Sequence, residues 1–402
     1  MKAWQDLRVI ALVFFAIATI ASLSKYARPT YDVAGTQTTH YNNYVIYRNS
    51  AQHLSAGVDL YQYHPDKQHD LYLYSPTFAA AFTPLAWLPD VLGLCLWNGL
   101  NAVLLAYALR SLPIGSCYAA GACWLALKDL LTSLQNSQAN GLVAALMVLT
   151  FVCWQQKQLS AAALCLAMAT FVKPFGLACA LFWLMFPRKP RFAGLFVAST
   201  AALIALPLLF TSPDGLRMQY ESWFARLQVM HGLSAGISVM GILETWFGLT
   251  NVKLPTLALG MILLVAPLLR VRQHGNLKYQ LSMLASILIW VVIFNHEAES
   301  PTFVIATTGV AIWFCSRPIT LVNSLLMGAT VLVSGFSRSD LTPQWLQDEW
   351  IGPYHWKAVP AIAVWIKLQI EMWLLPLEAA ALQSISEPAA ELATVVELHR
   401  AA

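Results

Sequence analysis

The residues best suited to chemistry sit in one polar stretch near the start of the chain. From Arg28 to Ser75 the sequence is dense in Tyr, His, Asn and Asp, side chains that hydrogen-bond hydroxyls and phosphates. Within it, Thr38 and Thr39 precede a run with Tyr41, Tyr44, Val45, Ala51 and Leu54, and Gly57 follows. A hydroxyl residue before such a run and a glycine just past it are helix boundary signals. The pattern predicts a helix lying along a membrane surface, with its aromatics at headgroup depth. His40, Asn43 and Tyr47 are spaced by three and four, as neighbours on one helix face are. The competing reading is an interfacial helix that only anchors the loop.

Three later clusters have similar character. Asn136, Gln138 and Asn140 open an apolar segment. Polar groups there cost free energy unless they are paired, so they either hold sugar hydroxyls or hydrogen-bond neighbouring helices. Lys173-Pro174 joins two short apolar segments. A lysine at membrane depth is a functional candidate by default, and its ammonium suits a phosphate; a snorkelling lysine is the alternative. His296, Glu297 and Glu299 form a His-Glu-x-Glu run. It lacks a second half with metal-ligand spacing, so no metal is expected.

The elements that must position these groups are membrane helices. Of the 402 residues, 58% are hydrophobic and 11% charged, which puts the chain in the polytopic membrane class. A spanning helix needs about 20 apolar residues, fewer where it is buried among others. The candidates are 7–27, 90–109, 113–127, 138–154, 159–172, 175–186, 192–210, 254–269, 279–294, 302–315, 319–336 and 355–375. The apolar piece 76–88 is broken by Pro84 and reads as shallow or re-entrant. The first segment reads as a retained anchor, because no small-residue cleavage pattern leads into a soluble domain. The seven cysteines lie in or beside the spans without metal-ligand spacing and read as packing residues.

Lys and Arg concentrate in short cytoplasmic loops. Placing the basic turns Arg188–Arg191 and Arg270–Lys278 inside puts the N-terminus, Arg110, Lys157 and Arg317 inside as well. The polar segments 28–75, 128–140, 173–174 and 295–300 then share the outer side, as one composite site would. The expected organisation is a single all-α transmembrane domain over 1–375, with 28–75 as its outer catalytic loop. Residues 211–253 form an outer amphipathic segment that can shape a lipid or acceptor entrance, the aromatic-rich 338–356 a further outer region, and 376–402 a cytoplasmic tail. The net charge of +4 is accounted for by the inner turns, so nucleic acid is not an expected partner.

The turn Gly57-Val58-Asp59-Leu60-Tyr61, followed by Leu71-Tyr72-Leu73-Tyr74-Ser75-Pro76 at the head of an apolar helix, resembles glycosyltransferase family 87. Asn136-Ser137-Gln138-Ala139-Asn140, Lys173-Pro174 and His296 extend the resemblance, which runs to about Phe336. It implies a GT-C fold of about 10–12 transmembrane helices, similar to polyprenyl-phosphate-mannose-dependent mannosyltransferases. It also implies transfer of a hexose, mannose by analogy, from a polyprenyl-phosphate donor to a glycolipid or glycan acceptor, with inversion of the linkage. The setting would be the outer face of a bacterial inner membrane, among membrane lipids and without a cofactor. Lys173 and His296, with Arg48, would hold the donor phosphate. Tyr44, Tyr47, Tyr74, Asn136, Gln138 and Asn140 would contact sugar or acceptor.

One position departs from the family pattern. Asn43-Tyr44-Val45-Ile46-Tyr47 stands where the family carries Asp-aromatic-x-Val-Tyr, its aspartate thought to be the base. An amide cannot take the proton. His40, one turn away on the expected helix, is the first substitute, since an imidazole titrating near about 6.5 suits a general base; Asp59, Asp70 and Glu297 are the others. A lipid or solute transporter, a non-catalytic relative that binds lipid-linked sugar, and an acyl- or phosphotransferase using the outer histidines are the rival functions. Polar residues gather at the outer edge rather than mid-span, without an internal repeat, which weighs against a transporter.

Overall fold

The computed structural model describes residues 2–33, 35–65, 67–186, 189–230, 235–337, 339 and 341–375. The expected tail at 376–402 and Arg188 of the first basic turn lie outside the described residues. The chain begins with α1 (Leu7–Tyr26), a hairpin of β1 (Tyr31–Val33) and β2 (Thr36–Thr38), α2 (Asn42–Ser55), α3 (Pro76–Ala86), α4 (Asp90–Arg110), α5 (Ser116–Gln135), α6 (Asn140–Gln155) and α7 (Leu159–Val172). A 3-10 stretch, Pro174–Leu181, leads to α8 (Phe182–Met185), α9 (Lys189–Ala205), α10 (Pro213–Met230), α11 (Val239–Phe247), α12 (Lys253–Val265), α13 (Leu277–Ile293) and α14 (Phe303–Cys315). α15 (Leu321–Ala329) runs into a π-helical turn, Thr330–Gly335, before α16 (Gln344–Leu346) and α17 (Val359–Leu374).

The protein is an all-α membrane protein. α1, α4 and the stretch Lys189–Leu209 are each long and apolar enough to cross a membrane, and α6, α7, α12, α13 and α14 are among the shorter apolar helices beside them. Each of the expected apolar segments is matched by helix. α3, with 11 residues, would be about 16 Å long, too short to cross, as its proline break predicts. α6, α13 and α14 are buried along almost their whole length, while α9 buries only Phe192. Helices that are apolar all round can occupy the centre of a bundle.

One boundary differs from the expected one. The segment expected to end at Leu127 continues to Gln135, so residues 128–135 are the last two turns of α5 rather than loop. A buried polar knot makes this tolerable. Lys357 Nζ lies 2.9 Å from Asp129 Oδ1, and the hydroxyl of Thr307 donates to Asp129 Oδ2 at 2.6 Å. Removing one partner of such a pair would strand a charge, at a cost of about 3–5 kcal/mol.

The two ends of the bundle differ in character. At one, Arg270 donates to the carbonyls of Met372, Trp373 and Leu375, satisfying the open C-terminus of α17. Arg317 pairs with Glu371 at 3.2 Å on the same end. At the other, the polar segments singled out from the sequence meet one another.

Candidate active site

The first loop is a packed element, not a surface coil. α2 ends in a Schellman motif: Val58 N donates to His53 O at 3.0 Å, Gly57 N to Leu54 O at 3.2 Å, and Gly57 takes φ 68°. The following turn is clamped to α10. Asp59 Oδ1 accepts from Tyr61 N, and Asp59 Oδ2 accepts from Gln62 and Ser222 at 3.0 Å each. Gln219 bridges Leu60 N and Val58 O, and Arg226 donates to Tyr61 O. The Gly-x-Asp-Leu-Tyr signal therefore marks a docking turn for α10.

Behind that turn lies an aromatic knot. Tyr47 packs edge-on against Tyr74, Phe78, Phe82 and Trp97, with centroids 5.0–5.7 Å apart. The Tyr47 hydroxyl donates to that of Tyr74 at 2.8 Å. Ser75 caps α3 by accepting from Phe78 N, and its hydroxyl donates to Phe171 O at the end of α7. Two residues on, Lys173 Nζ stands 5.7 Å from the Tyr74 ring and 5.8 Å from that of Phe175, within cation–π range. Burial holds the Tyr47 phenol well above its ordinary range, with Tyr74, Tyr72 and the carboxylate of Glu299 adding to the rise.

The amide cluster joins α5, α6 and the 295–301 turn. Asn43 Nδ2 donates to the carbonyl of Asn136 at 2.9 Å. Ser137 reverses the chain in the left-handed region, φ 53°, and its carbonyl accepts from Trp97 Nε1 at 2.9 Å. Asn140 donates to Gln138 Oε1 at 2.6 Å, and Gln138 Nε2 donates to Glu299 Oε2 at 2.9 Å. Thr302 Oγ1 accepts from Glu299 N at 3.2 Å, which fixes the residue at the head of its helix. The backbone of Ile237 donates to Ala298 O at 2.7 Å. Gly236 permits that approach, because a Cβ there would meet His296 O at 2.6 Å.

Beside the amide cluster lies an open cavity of about 870 Å³, lined by Lys25 in the last turn of α1 and Arg28 after it, Thr132, Gln135 and Asn136 at the end of α5, Glu244 of α11, Glu299 and Ser300, and His355. His355 adopts φ 54°. Its loop is held by Trp246, which donates to Tyr354 O at 2.8 Å and packs against Trp356 with the rings tilted. A cavity of this size and polarity can take a sugar-bearing headgroup.

Several expectations change. α2 begins at Asn42, so His40 precedes the N-cap and shares no helix face with Asn43. It sits instead against Tyr31, 4.8 Å between ring centroids, and its pKa is lowered by burial, then by Arg28 and Lys25. α2 does not lie on a membrane surface with its aromatics outward: Tyr44 and Tyr47 are 0% exposed. They have no surface to offer a sugar. Asn43 acts as a tether, and Arg48 is engaged by Asp90 at 2.5 Å. Asp59 is spent on the clamp. Glu297 and Asp70 are exposed, with His296 Nε2 3.9 Å from Glu297. Tyr74, Lys173 and His296 remain partly accessible, and Gln138 and Asn140 reach the cavity wall through Glu299.

Lys25, Arg28, Glu244, Glu299 and His355 were not picked out as site residues from the sequence. Only Glu299 carried a signal, as the last member of His-Glu-x-Glu. Among the described residues no group of His, Cys, Asp and Glu is arranged to hold a metal ion. No curated protein matches the chain. A family model, glycosyltransferase family 87, matches residues 72–335, from the end of the first loop through the amide cluster and Lys173 to the π-helical turn. The chain therefore belongs to glycosyltransferase family 87.

Proposed function

We propose that this membrane glycosyltransferase moves a hexose, mannose by analogy with the family, from a polyprenyl phosphate to an acceptor hydroxyl on the outer face of a bacterial inner membrane. One observation carries the reading. A carboxylate, Glu299, lines the large polar cavity and is held in place by Gln138, and Lys173 stands over the ring of Tyr74, whose hydroxyl accepts from that of Tyr47.

In this mechanism Lys173 and His296 hold the donor phosphate. The acceptor oxygen bonds to the anomeric carbon from the side opposite the phosphate, and the bond from that carbon to the phosphate oxygen breaks. The electron pair leaves with the phosphate, whose charge the cations stabilise. Glu299 takes the proton of the acceptor hydroxyl, and Gln138 and Asn140 orient it. Glu299 thus replaces His40 as the first candidate for the base, since it faces the cavity and needs no help from Asn43. Neither step requires a cofactor. The basic residues Arg270 and Arg317 at the opposite end support a cytoplasmic N-terminus.

The test is transfer by the full-length protein in nanodiscs, offered short-chain polyprenyl-phosphate mannose or a nucleotide mannose with a membrane lipid extract. Mass spectrometry should find a hexose added to a lipid from the polyprenyl donor alone. Transfer from the nucleotide donor alone, or donor binding without turnover, would overturn the reading.

A further inference from the structure

The turn that carries His355 is both strained and firmly held. His355 takes φ 54° and ψ 30°, the left-handed region where glycine sits without cost and a residue with a Cβ is strained. Three other elements fix the turn in spite of this. α5 supplies Asp129, whose Oδ1 lies 2.9 Å from Lys357 Nζ with both side chains buried. The π-helical turn supplies Ser334, whose hydroxyl donates to Lys357 O at 2.8 Å. α11 supplies Trp246, which donates to Tyr354 O. The imidazole also runs close over α11 at Gly241, where a Cβ would stand 2.9 Å from its Cδ2 and Nε2. Together these contacts hold a half-buried histidine in the cavity wall, beside Glu244 and Thr245 one turn further along α11. His355 lies beyond residues 72–335, the stretch that the family model matches.

We propose that His355 is a specificity-determining residue of the transferase, its imidazole hydrogen-bonding a hexose hydroxyl in the cavity. The assignment rests on the transferase reading and adds a residue to its site. A sugar hydroxyl both donates and accepts, whereas the ionised carboxylates of Glu244 and Glu299 only accept. A neutral imidazole offers one N–H donor and one acceptor nitrogen, so beside two carboxylates it supplies the complementary donor. Glycine would complete the same turn at no steric cost. What histidine adds there is its ring, at a position that lines the cavity. The hydroxyl belongs to the donor's hexose or to a sugar on the acceptor; the recognition chemistry is the same for both.

Modification of histidines by diethyl pyrocarbonate, read peptide by peptide by mass spectrometry on the full chain in nanodiscs, tests this without relying on turnover. The probes are octyl α-mannoside, octyl phosphate and polyprenyl-phosphate mannose. The mannoside should protect His355 and leave His274, at the opposite end of the bundle, unchanged; octyl phosphate should protect neither. Protection by the polyprenyl donor but not by the mannoside keeps the proposal and makes the sugar the donor's hexose. Protection by the mannoside but not by the donor keeps it and makes the sugar the acceptor's. Protection by neither, or equal protection by octyl phosphate, would overturn it. Two variants keep the backbone comfortable, since glycine and asparagine both accept the left-handed region. H355G and H355N should unfold no more easily than the wild type, yet bind octyl mannoside about tenfold more weakly by calorimetry, the loss expected for one hydrogen bond. An unchanged affinity in folded H355G would show that the ring only packs, and would also overturn the proposal. A protein that transfers no hexose but shows protected His355 would sink the transferase reading alone, so the two fail separately.

Discussion

The aromatic knot and the cavity beside it use polar residues in opposite ways. In the knot, tyrosines that stand out in the sequence as sugar binders are buried, ring against ring, with one hydroxyl bonded to another. In the cavity, charged residues from α1, α11 and the 295–301 turn line one space, and of them only Glu299 carried a signal in its local sequence. The knot spends its side chains on shape. The cavity keeps its charges accessible, and the two adjoin through Trp97 of the knot, which donates to Ser137 O, and the neighbouring Gln138, which donates to Glu299. The lesson is that side-chain chemistry suited to a ligand is equally suited to holding a loop, and burial decides between the two.

Substitutions can break this comparison. The largest expected effect is on rate: Glu299→Gln should lower transfer by about 10²–10⁴-fold, the range for loss of a general base, with thermal unfolding little changed. Tyr47→Ala should instead act on stability, costing about 3–5 kcal/mol as a large buried ring is deleted; Tyr47→Phe should cost about 1 kcal/mol through the lost hydroxyl bond. Denaturant or thermal unfolding in detergent would measure both. If Tyr47→Phe abolished transfer while leaving unfolding unchanged, the knot would be catalytic after all.

Asn43→Asp sharpens the contrast, because it places at this position the carboxylate that the family resemblance led one to expect. Here it would remove the donor to Asn136 O and set two acceptors against each other. The expected result is a loss of about 1–3 kcal/mol and no gain in rate. A faster enzyme would return the base to α2.

The smallest effect concerns His40. Its pKa is lowered in the folded state by burial, Arg28 and Lys25, so the folded protein binds this proton less readily than the unfolded chain. Its contribution to stability is complete above the unfolded value of about 6.5 and is lost as pH falls through the lower folded value. The melting temperature of the wild type should therefore drop slightly more than that of His40→Asn between pH 7.5 and 5.

Much of the architecture was legible because a membrane helix must satisfy its backbone internally, so apolar runs map onto helices. The convergence of the polar segments was legible too, through the bias of Lys and Arg. The end of α5 was not, because Lys128 and Asp129 look like loop residues until Lys357, far along the chain, is seen to pair with Asp129. The hairpin of β1 and β2 was missed because three-residue strands carry no readable alternation. His40 was misplaced by two residues of helix start, which is enough to move a side chain off a face. Lys25 and Arg28 were hidden for a different reason: lysine and arginine at the end of a span read as ordinary flanking charges, and only the structure shows that they line the cavity.

The most direct test of the central claim compares the cavity with the clamp in one assay. Wild type, Glu299→Gln and Asp59→Asn, each quantified as folded protein, would be given polyprenyl-phosphate mannose and lipid extract, and hexosylated product counted by mass spectrometry. If catalysis belongs to the cavity, Glu299→Gln is folded and at least about 100-fold slower, while Asp59→Asn is less stable yet transfers normally per folded molecule. Full activity in Glu299→Gln, or a folded and inactive Asp59→Asn, would contradict it.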